Sequence, residues 1–297
     1  MTLLVVEKRK RVVYVASDSR YSVMSSQKNN PNLLHTDSGP KIFRLPTKIV
    51  GPNHQDQSGP DELYRSAIGL AFAGSADFFA TFKARLEWVL EYIQIVPSEK
   101  KYSDVITEVV FNTYEKLYEE TSMIYEDTCV LFFITDNITH ELNVYSISVE
   151  INDNCDIFVC KKRITDVYSF YGSGESKAAD LYEIMKLHMP SNIFQFTKKV
   201  IRECEKIGDS DVGGDMQAGR LDANGFEVVG IQDYDEEDPL HFGFKYCFGG
   251  MRMHGEDDPN TGINVTRSFF EIYNGSEKHI LATKNVDDVM KLYSKTI

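Results

Sequence analysis

The chain lacks any long apolar run. Of its 297 residues 42% are apolar, yet the longest apolar stretches have only the length of β-strands. A membrane-spanning helix needs about 20 apolar residues in succession, and a secretion signal needs a charged region followed by an apolar one. The sequence therefore predicts no membrane partner and no signal peptide. Its apolar content is enough for one large core, or for one core with an appendage.

Cysteine is scarce, and basic residues are outnumbered by acidic ones. The five cysteines form no Cys-x-x-Cys pair and the seven histidines are scattered, so neither type has metal-ligand spacing. An odd number of cysteines without a signal peptide is typical of reduced thiols in the cytoplasm. The net charge of −13 argues against non-specific binding of nucleic acid. We expect a cytoplasmic protein with no metal and no nucleic-acid partner.

Common catalytic and phosphate-binding motifs are missing as well. The chain has no Gly-x-Ser-x-Gly elbow, no Walker loop and no dinucleotide fingerprint. The pair Gly249-Gly250 does not have the spacing of a phosphate loop. The sequence therefore predicts no cofactor.

The N-terminal segment carries the main functional signal. Apolar residues at 3–6 and 12–16 flank a basic turn and predict a hairpin, which would return Asp18 to the chain start. Thr2 follows Met1, and methionine aminopeptidase can remove an initiator Met before so small a residue. The cleared chain would begin with a hydroxyl nucleophile and an α-amine of pKa about 8, which suits a general base. Taken alone, Thr2 is also an ordinary first-strand residue.

Five segments in order resemble one family. Thr2 followed by Val12-Val-Tyr-Val-Ala-Ser-Asp-Ser-Arg20 resembles the opening of a proteasome β-subunit, and of the related bacterial peptidase that works with an unfolding ATPase. The step from Thr2 to Asp18 matches the family spacing without a gap. The other four segments lie at residues 39–45, 68–77, 171–174 and 209–214. The resemblance covers about residues 2–231.

The resemblance implies the fold of N-terminal-nucleophile (Ntn) hydrolases, an α+β fold in which four layers form an αββα sandwich. Apolar periodicity independently predicts the element order ββ, αα, ββ, αα, ββ. We expect a proteasome-like domain at residues 1–231 and a β-rich extension at 232–297 packed on the same domain. Residues 21–38 and 51–65 are polar and rich in Pro, Gly and Asn, and they are expected to be loops.

By the same resemblance, Thr2 is the nucleophile and its α-amine is the general base, acting through a water. Asp18 would orient the site and balance its charge, and the ammonium of Lys41 would lower the pKa of the Thr2 hydroxyl and amine. Asp18 could instead be a turn residue at the end of a strand, and Lys41 an exposed lysine within a strand. Lys48 competes with Lys41 for this assignment.

The remaining site residues come from three turns. Gly74 would donate its N–H to the oxyanion, although its turn is one residue shorter than the family's. Ser173 and Asp209 would form an outer hydrogen-bond network around the α-amine. Ser173 is equally a candidate helix cap, and Asp209 a turn residue. Val212 stands where the family has a serine, so it cannot supply that hydroxyl.

The resemblance also places the substrate pocket and the partners. Tyr21, Ser22 and Phe72 would shape a narrow pocket, with ordinary core packing as the alternative. The expected substrate is a peptide or protein, and the expected assembly is a homo-oligomeric ring or stack that could engage an ATPase. Two further functions stay open: a non-catalytic structural protein on the same scaffold, and an amidase or transpeptidase using the same acyl-enzyme.

Overall fold

The computed structural model combines four helices with seventeen strands in the described part of the chain. The described residues are 2–23, 34–36, 39–53, 60–95, 101–121, 128–152, 154, 157–186, 193–206, 212–234, 244–248, 251–253, 269–274 and 277–282. The structure is therefore of the mixed α+β class. No helix in these ranges has both the length and the apolar content needed to cross a bilayer.

The elements follow one another in this order: β1 (Leu4–Lys8), β2 (Val13–Ser17), β3 (Tyr21–Val23), β4 (Leu34–Thr36), β5 (Ile42–Asn53), β6 (Pro60–Ala73), α1 (Ala76–Glu91), β7 (Ile93–Gln94), α2 (Tyr102–Thr121), β8 (Cys129–Thr135), β9 (Leu142–Ile151), β10 (Ile157–Arg163), β11 (Tyr168–Tyr171), α3 (Glu175–Met185), α4 (Ile193–Lys206), β12 (Gln217–Asp222), β13 (Gly225–Tyr234), β14 (Phe244–Phe248), β15 (Met251–Met253), β16 (Phe269–Asn274) and β17 (Glu277–Ala282).

One nine-stranded sheet contains the N-terminal hairpin. Its main order is β11-β1-β2-β12-β13-β14-β15, and β16 pairs with β13 and with β17. In the hairpin Leu4 lies opposite Ser17, as the apolar pattern around the basic turn predicts. The N–H of Asp18 donates to the C=O of Leu3 at 3.4 Å. The hairpin therefore returns Asp18 to the start of the chain.

A second sheet of six strands has the order β10-β9-β8-β6-β5-β7. Buried apolar side chains form three clusters. One joins α1 and α2 to the six-stranded sheet, and includes Phe82, Tyr114 and Phe132. Another joins α3 and α4 to the nine-stranded sheet. The third lies between the two sheets, where Phe133 and Phe226 approach to 5.2 Å between ring centroids. Each such large side chain contributes about 1.5–3 kcal/mol by leaving water.

Two expected loops are partly strands. Residues 51–53 and 60–65 belong to β5 and β6, where Lys48 pairs with Arg65 and Ile49 with Tyr64. Residues 21–23 and 34–36 form a small antiparallel pair. A long hairpin can carry polar side chains on any face that contacts water, because its backbone hydrogen bonds do not depend on them. The prediction of loops from polar composition was therefore wrong for these residues.

The expected boundary at residue 231 falls inside β13, and β14 to β17 extend the same sheet. Ser103 lies within α2, and its hydroxyl donates to Oδ2 of Asp136 at 3.1 Å. Its polar atom therefore makes a tertiary contact.

Candidate active site

Thr2 lies two residues before the start of β1 and is only 1% exposed. Its backbone nitrogen donates to Oγ of Ser173 at 3.1 Å, and its C=O accepts from the N–H of Gly174 at 3.3 Å. Met1 lies outside the described residues. The backbone of Thr2 is thus held by the turn that precedes α3.

That turn fits against Thr2 because of its glycines. Gly172 has φ +90°, and a Cβ there would collide with the C=O of Thr2. The N-cap of α3 is Gly174, which makes no side-chain capping bond. The Ser173 hydroxyl therefore faces Thr2 instead of capping the helix.

Asp18 follows β2 and is fully buried. Its Oδ1 accepts from the N–H of Leu3 at 2.8 Å and from Nζ of Lys41 at 2.9 Å. Its Oδ2 accepts from the N–H groups of Arg20 and Gly213, both at 3.3 Å. Burial raises the pKa of the Asp18 carboxyl, and Lys41 with the N–H donors of Leu3 and Gly213 opposes that rise. The Asp18 carboxylate is therefore the acceptor that these four donors share.

The structure distinguishes the two candidate lysines. Lys41 precedes β5, is 0% exposed and forms the ion pair with Asp18. Lys48 lies seven residues further along the chain, within β5. Its side chain is 45% exposed and its Nζ is 3.5 Å from Oε2 of Glu62. Lys41, and not Lys48, therefore stands beside Asp18.

An aromatic ring completes the surroundings of Lys41. Nζ of Lys41 lies 5.6 Å from the centroid of the Tyr21 ring, within the range of a cation–π contact. The Tyr21 hydroxyl donates to the C=O of Pro40. Burial, followed by the charge of Asp18, raises the pKa of Tyr21, so the phenol is neutral. Tyr21 therefore packs on the ammonium without adding charge.

Gly74 follows β6 and has φ +115°, a conformation that favours glycine. The next residue, Ser75, caps α1 by accepting from the N–H of Phe78 at 3.3 Å. Gly74 and Thr2 line the same pocket, whose volume is about 630 Å³. Other lining residues include Cys129, Tyr171, Ser173 and Glu175. Burial raises the pKa of Cys129 and of Tyr171 to about 12, so both are neutral at pH 7.

Two of the three residues expected to shape the pocket, Tyr21 and Phe72, do not line the pocket that contains Thr2. Phe72 is buried in the cluster between the six-stranded sheet and its helices, where its ring stacks on Phe79 at 4.0 Å. Tyr21 packs near it, with 6.2 Å between ring centroids. The side chain of Ser22 lies outside the described residues. The position of Phe72 matches the alternative interpretation, ordinary core packing.

Of the outer network, Asp209 lies outside the described residues. Val212 is buried among apolar side chains that include Leu3. A Cβ placed on Gly174 would lie 3.1 Å from both Leu3 and Val212, so these residues fit closely together. The valine therefore fills an apolar space behind the turn that holds Thr2.

Two contacts of the site were not anticipated from the sequence. Gln217 is buried, and its amide bonds the backbone of Asp18 and Lys41. Arg20 lies so close to Gly213 that a Cβ at this glycine would collide with the guanidinium. Gly213 was part of a family-like motif, but Gln217 belongs to no motif. Only its polar side chain at the start of a predicted strand could have signalled it.

In the described ranges no group of three His, Cys, Asp or Glu side chains is placed to hold a metal ion. No protein-family model matches the sequence, and no curated protein does. Among solved structures, the chain is similar to the Anbu (Gly-1) mutant from Hyphomicrobium sp. strain MC1, with a TM-score of 0.49 and 12% identity over 87% of this chain and 89% of that one. It is also similar to the Anbu complex from Pseudomonas aeruginosa, described as a helical assembly, with a TM-score of 0.46 and 12% identity over 86% and 88%. At this identity, the geometry around Thr2 carries the functional argument.

Proposed function

We propose that this protein is an N-terminal-nucleophile threonine hydrolase, a peptidase of the proteasome type, on an αββα sandwich. The observation that carries the proposal is the buried Asp18–Lys41 pair, whose shared oxygen also accepts from the peptide N–H that follows Thr2. A buried ion pair is costly unless its geometry is well satisfied, so its place beside Thr2 favours a role in chemistry.

The reaction begins once Met1 has been removed. The Thr2 nitrogen, which donates to Ser173 Oγ, then becomes a free α-amine. This amine takes the hydroxyl proton through a water while Thr2 Oγ attacks the substrate carbonyl. The N–H of Gly74 stabilises the oxyanion, a contribution of about 3 kcal/mol for one such donor. The protonated amine gives its proton to the leaving amine, and water then hydrolyses the acyl-enzyme with the same amine as base.

Lys41 and Asp18 act electrostatically in this scheme. The ammonium lowers the pKa of the Thr2 hydroxyl and amine, which makes nucleophile and base available near neutral pH. Asp18 holds the ammonium at 2.9 Å and fixes the Leu3 peptide beside it. Asp209, with Ser173, would complete the network around the amine.

Mass spectrometry and kinetics test this function. The intact mass should correspond to a chain that begins at Thr2, because a retained Met1 leaves no free amine. Thr2→Ala should abolish cleavage of a fluorogenic peptide library. Thr165→Ala is the matched control, since Thr165 lines the same pocket without a proposed role. Equal loss in both variants would contradict the assignment of Thr2.

We also propose that the protein assembles into a homo-oligomeric ring or stack in the cytoplasm, acts on peptides or proteins, and engages an ATPase. Enclosure would restrict access to the Thr2 pocket. Light scattering at micromolar concentration should give the mass of several chains. A monomer would remove the assembly proposal and leave the proposed chemistry untouched.

Val212 favours a second function, that of a non-catalytic structural protein on this scaffold. It is wholly buried and offers no hydroxyl near Thr2. In that case the wild-type chain and Thr2→Ala would be equally inactive. An amidase or transpeptidase is a third variant, in which an amine accepts the acyl group. Adding an amine to the peptide library would then divert product from acid to amide.

A further inference from the structure

Gln217 bridges the two sheets beside the buried ion pair. It is the first residue of β12, its side chain is 1% exposed, and its backbone lies opposite Ser17 in the nine-stranded sheet. Its amide contacts the residues at the start of β5, in the six-stranded sheet. This one side chain therefore connects the strand that leads to Asp18 with the segment that carries Lys41.

The Gln217 amide uses its full hydrogen-bonding capacity. Its Oε1 accepts from the N–H of Lys41 at 2.7 Å and from that of Ile42 at 3.4 Å. Its Nε2 donates to the C=O of Asp18 at 3.2 Å and to that of Gly39 at 2.7 Å. A primary amide has two donors and two lone pairs on its oxygen, so no capacity is left over. One planar group thus ties two chain segments, Asp18 and residues 39–42, to β12.

We propose that Gln217 is a positioning residue that holds Lys41 against Asp18 for the chemistry of Thr2, an inference that rests on the proposed function. Lys41 has a long flexible side chain, and its ammonium must stay at one carboxylate oxygen. Gln217 bonds the backbone N–H of Lys41 and the backbone C=O of Asp18, so it sets the distance between the two main chains directly.

Other contacts keep this segment attached when the amide is removed. The N–H of Gly39 donates to the C=O of Ser19 at 2.9 Å, and the N–H of Phe72 donates to the C=O of Lys41 at 3.3 Å. Loss of the Gln217 amide should therefore displace Lys41 within a folded chain. A displacement of about 1 Å in a catalytic group can cost about 100-fold in rate.

Two substitutions separate positioning from packing. Gln217→Met keeps the length of the side chain and loses all four bonds. It should react with an epoxyketone probe about 100-fold more slowly, with substrate KM within about 2-fold of wild type. Gln217→Glu keeps the oxygen that accepts from the N–H of Lys41, but its second oxygen faces the C=O groups of Asp18 and Gly39. Protonation restores one donor, so the ratio of its rate to the wild-type rate should rise as the pH is lowered.

Thr135→Val is the matched control, because Oγ1 of Thr135 donates to the C=O of Asp222 at 2.6 Å, at the other end of β12. It removes a partly buried bond that β8 makes to the same strand, and it should leave the rate near wild type. In a crystal structure of Gln217→Met, the distance from Lys41 Nζ to Asp18 Oδ1 should be longer than the 2.9 Å of the wild type.

An unchanged distance with a rate within a few-fold of wild type would overturn the positioning role. A wild-type chain that does not react with the probe would instead overturn the proposed function. In that case the distance alone decides whether Gln217 holds the pair.

Discussion

Nζ of Lys41 lies 2.9 Å from Oδ1 of Asp18, and neither side chain is exposed to solvent. The N–H of Leu3 donates to the same oxygen at 2.8 Å. A lysine ammonium and the peptide group that follows Thr2 therefore share one carboxylate atom. Removing either charge leaves the other buried without its partner, which is far more costly than losing a surface pair.

Asp18→Asn should destabilise the protein strongly. The amide can still accept from the N–H of Leu3, but its NH₂ group must face the N–H donors of Arg20 and Gly213. It also removes the negative charge that pairs with the Lys41 ammonium at 2.9 Å, and breaking such a buried pair costs about 3–5 kcal/mol. The measurement is the free energy of unfolding in urea.

The control for this loss is Lys48→Met. It breaks the pair of Lys48 with Glu62, in which both side chains are more than a third exposed. Exposed pairs contribute little because water and salt screen them. A loss in Lys48→Met as large as that in Asp18→Asn would contradict the account.

Lys41→Ala should shift the pH dependence of activity. Without the ammonium, the Asp18 carboxylate favours the protonated form of the Thr2 amine and raises its pKa above the ordinary value of about 8. The base is neutral only above its pKa, so the acid limb of the pH–rate profile should move to higher pH and the rate at neutral pH should fall. Lys48→Ala should keep the wild-type profile. An unchanged profile in Lys41→Ala would reduce Lys41 to a structural residue.

Gly172→Ala should impair the site selectively. Its Cβ would collide with the C=O of Thr2, so the variant should react with an epoxyketone about 100-fold more slowly. Gly225→Ala is the matched control, since Gly225 also has positive φ, +104°, but its Cβ would meet the C=O of Ala67 at 3.0 Å. Both variants carry backbone strain of about 1–2 kcal/mol. Equal labelling rates in the two would show that Thr2 need not be held by this turn.

Asp136 should make the fold sensitive to acid. Burial alone would raise the pKa of its carboxyl, but the N–H groups of Thr139 and Ile138 and the Lys101 ammonium outweigh it and hold the pKa below its usual range. This stabilisation is complete above the unfolded pKa of about 3.9 and is lost as pH falls through the lower folded value. Wild type should exceed Asp136→Asn in stability at pH 7, and the difference should shrink below about pH 4.

Urea unfolding at several pH values measures that difference. Asp166→Asn, which changes an exposed carboxylate, should retain the acid dependence of the wild type. A constant gap between wild type and Asp136→Asn from pH 7 to pH 3 would contradict the assignment.

Local pattern was enough to predict much of the element order and part of the site. The apolar runs before and after the basic turn specified the hairpin, and the hairpin brings Asp18 to Leu3. The contact of Lys41 with Asp18 joins two sheets, so spacing alone could not choose between Lys41 and Lys48. Only the folded structure separates the buried lysine from the exposed one.

Gln217 shows where such reasoning ends. All its partners lie far from it in the chain, the nearest in sequence being Ile42. A polar residue that opens a strand has no local signature of the four bonds it will make.

The most direct test is to map the adduct formed when the purified wild-type chain reacts with a peptide epoxyketone. Peptide-mapping mass spectrometry should find the probe on an N-terminal peptide that begins at Thr2, on the hydroxyl and α-amine of that residue. A chain that retains Met1, or an adduct on any residue other than Thr2, would contradict the claim that Thr2 is the nucleophile.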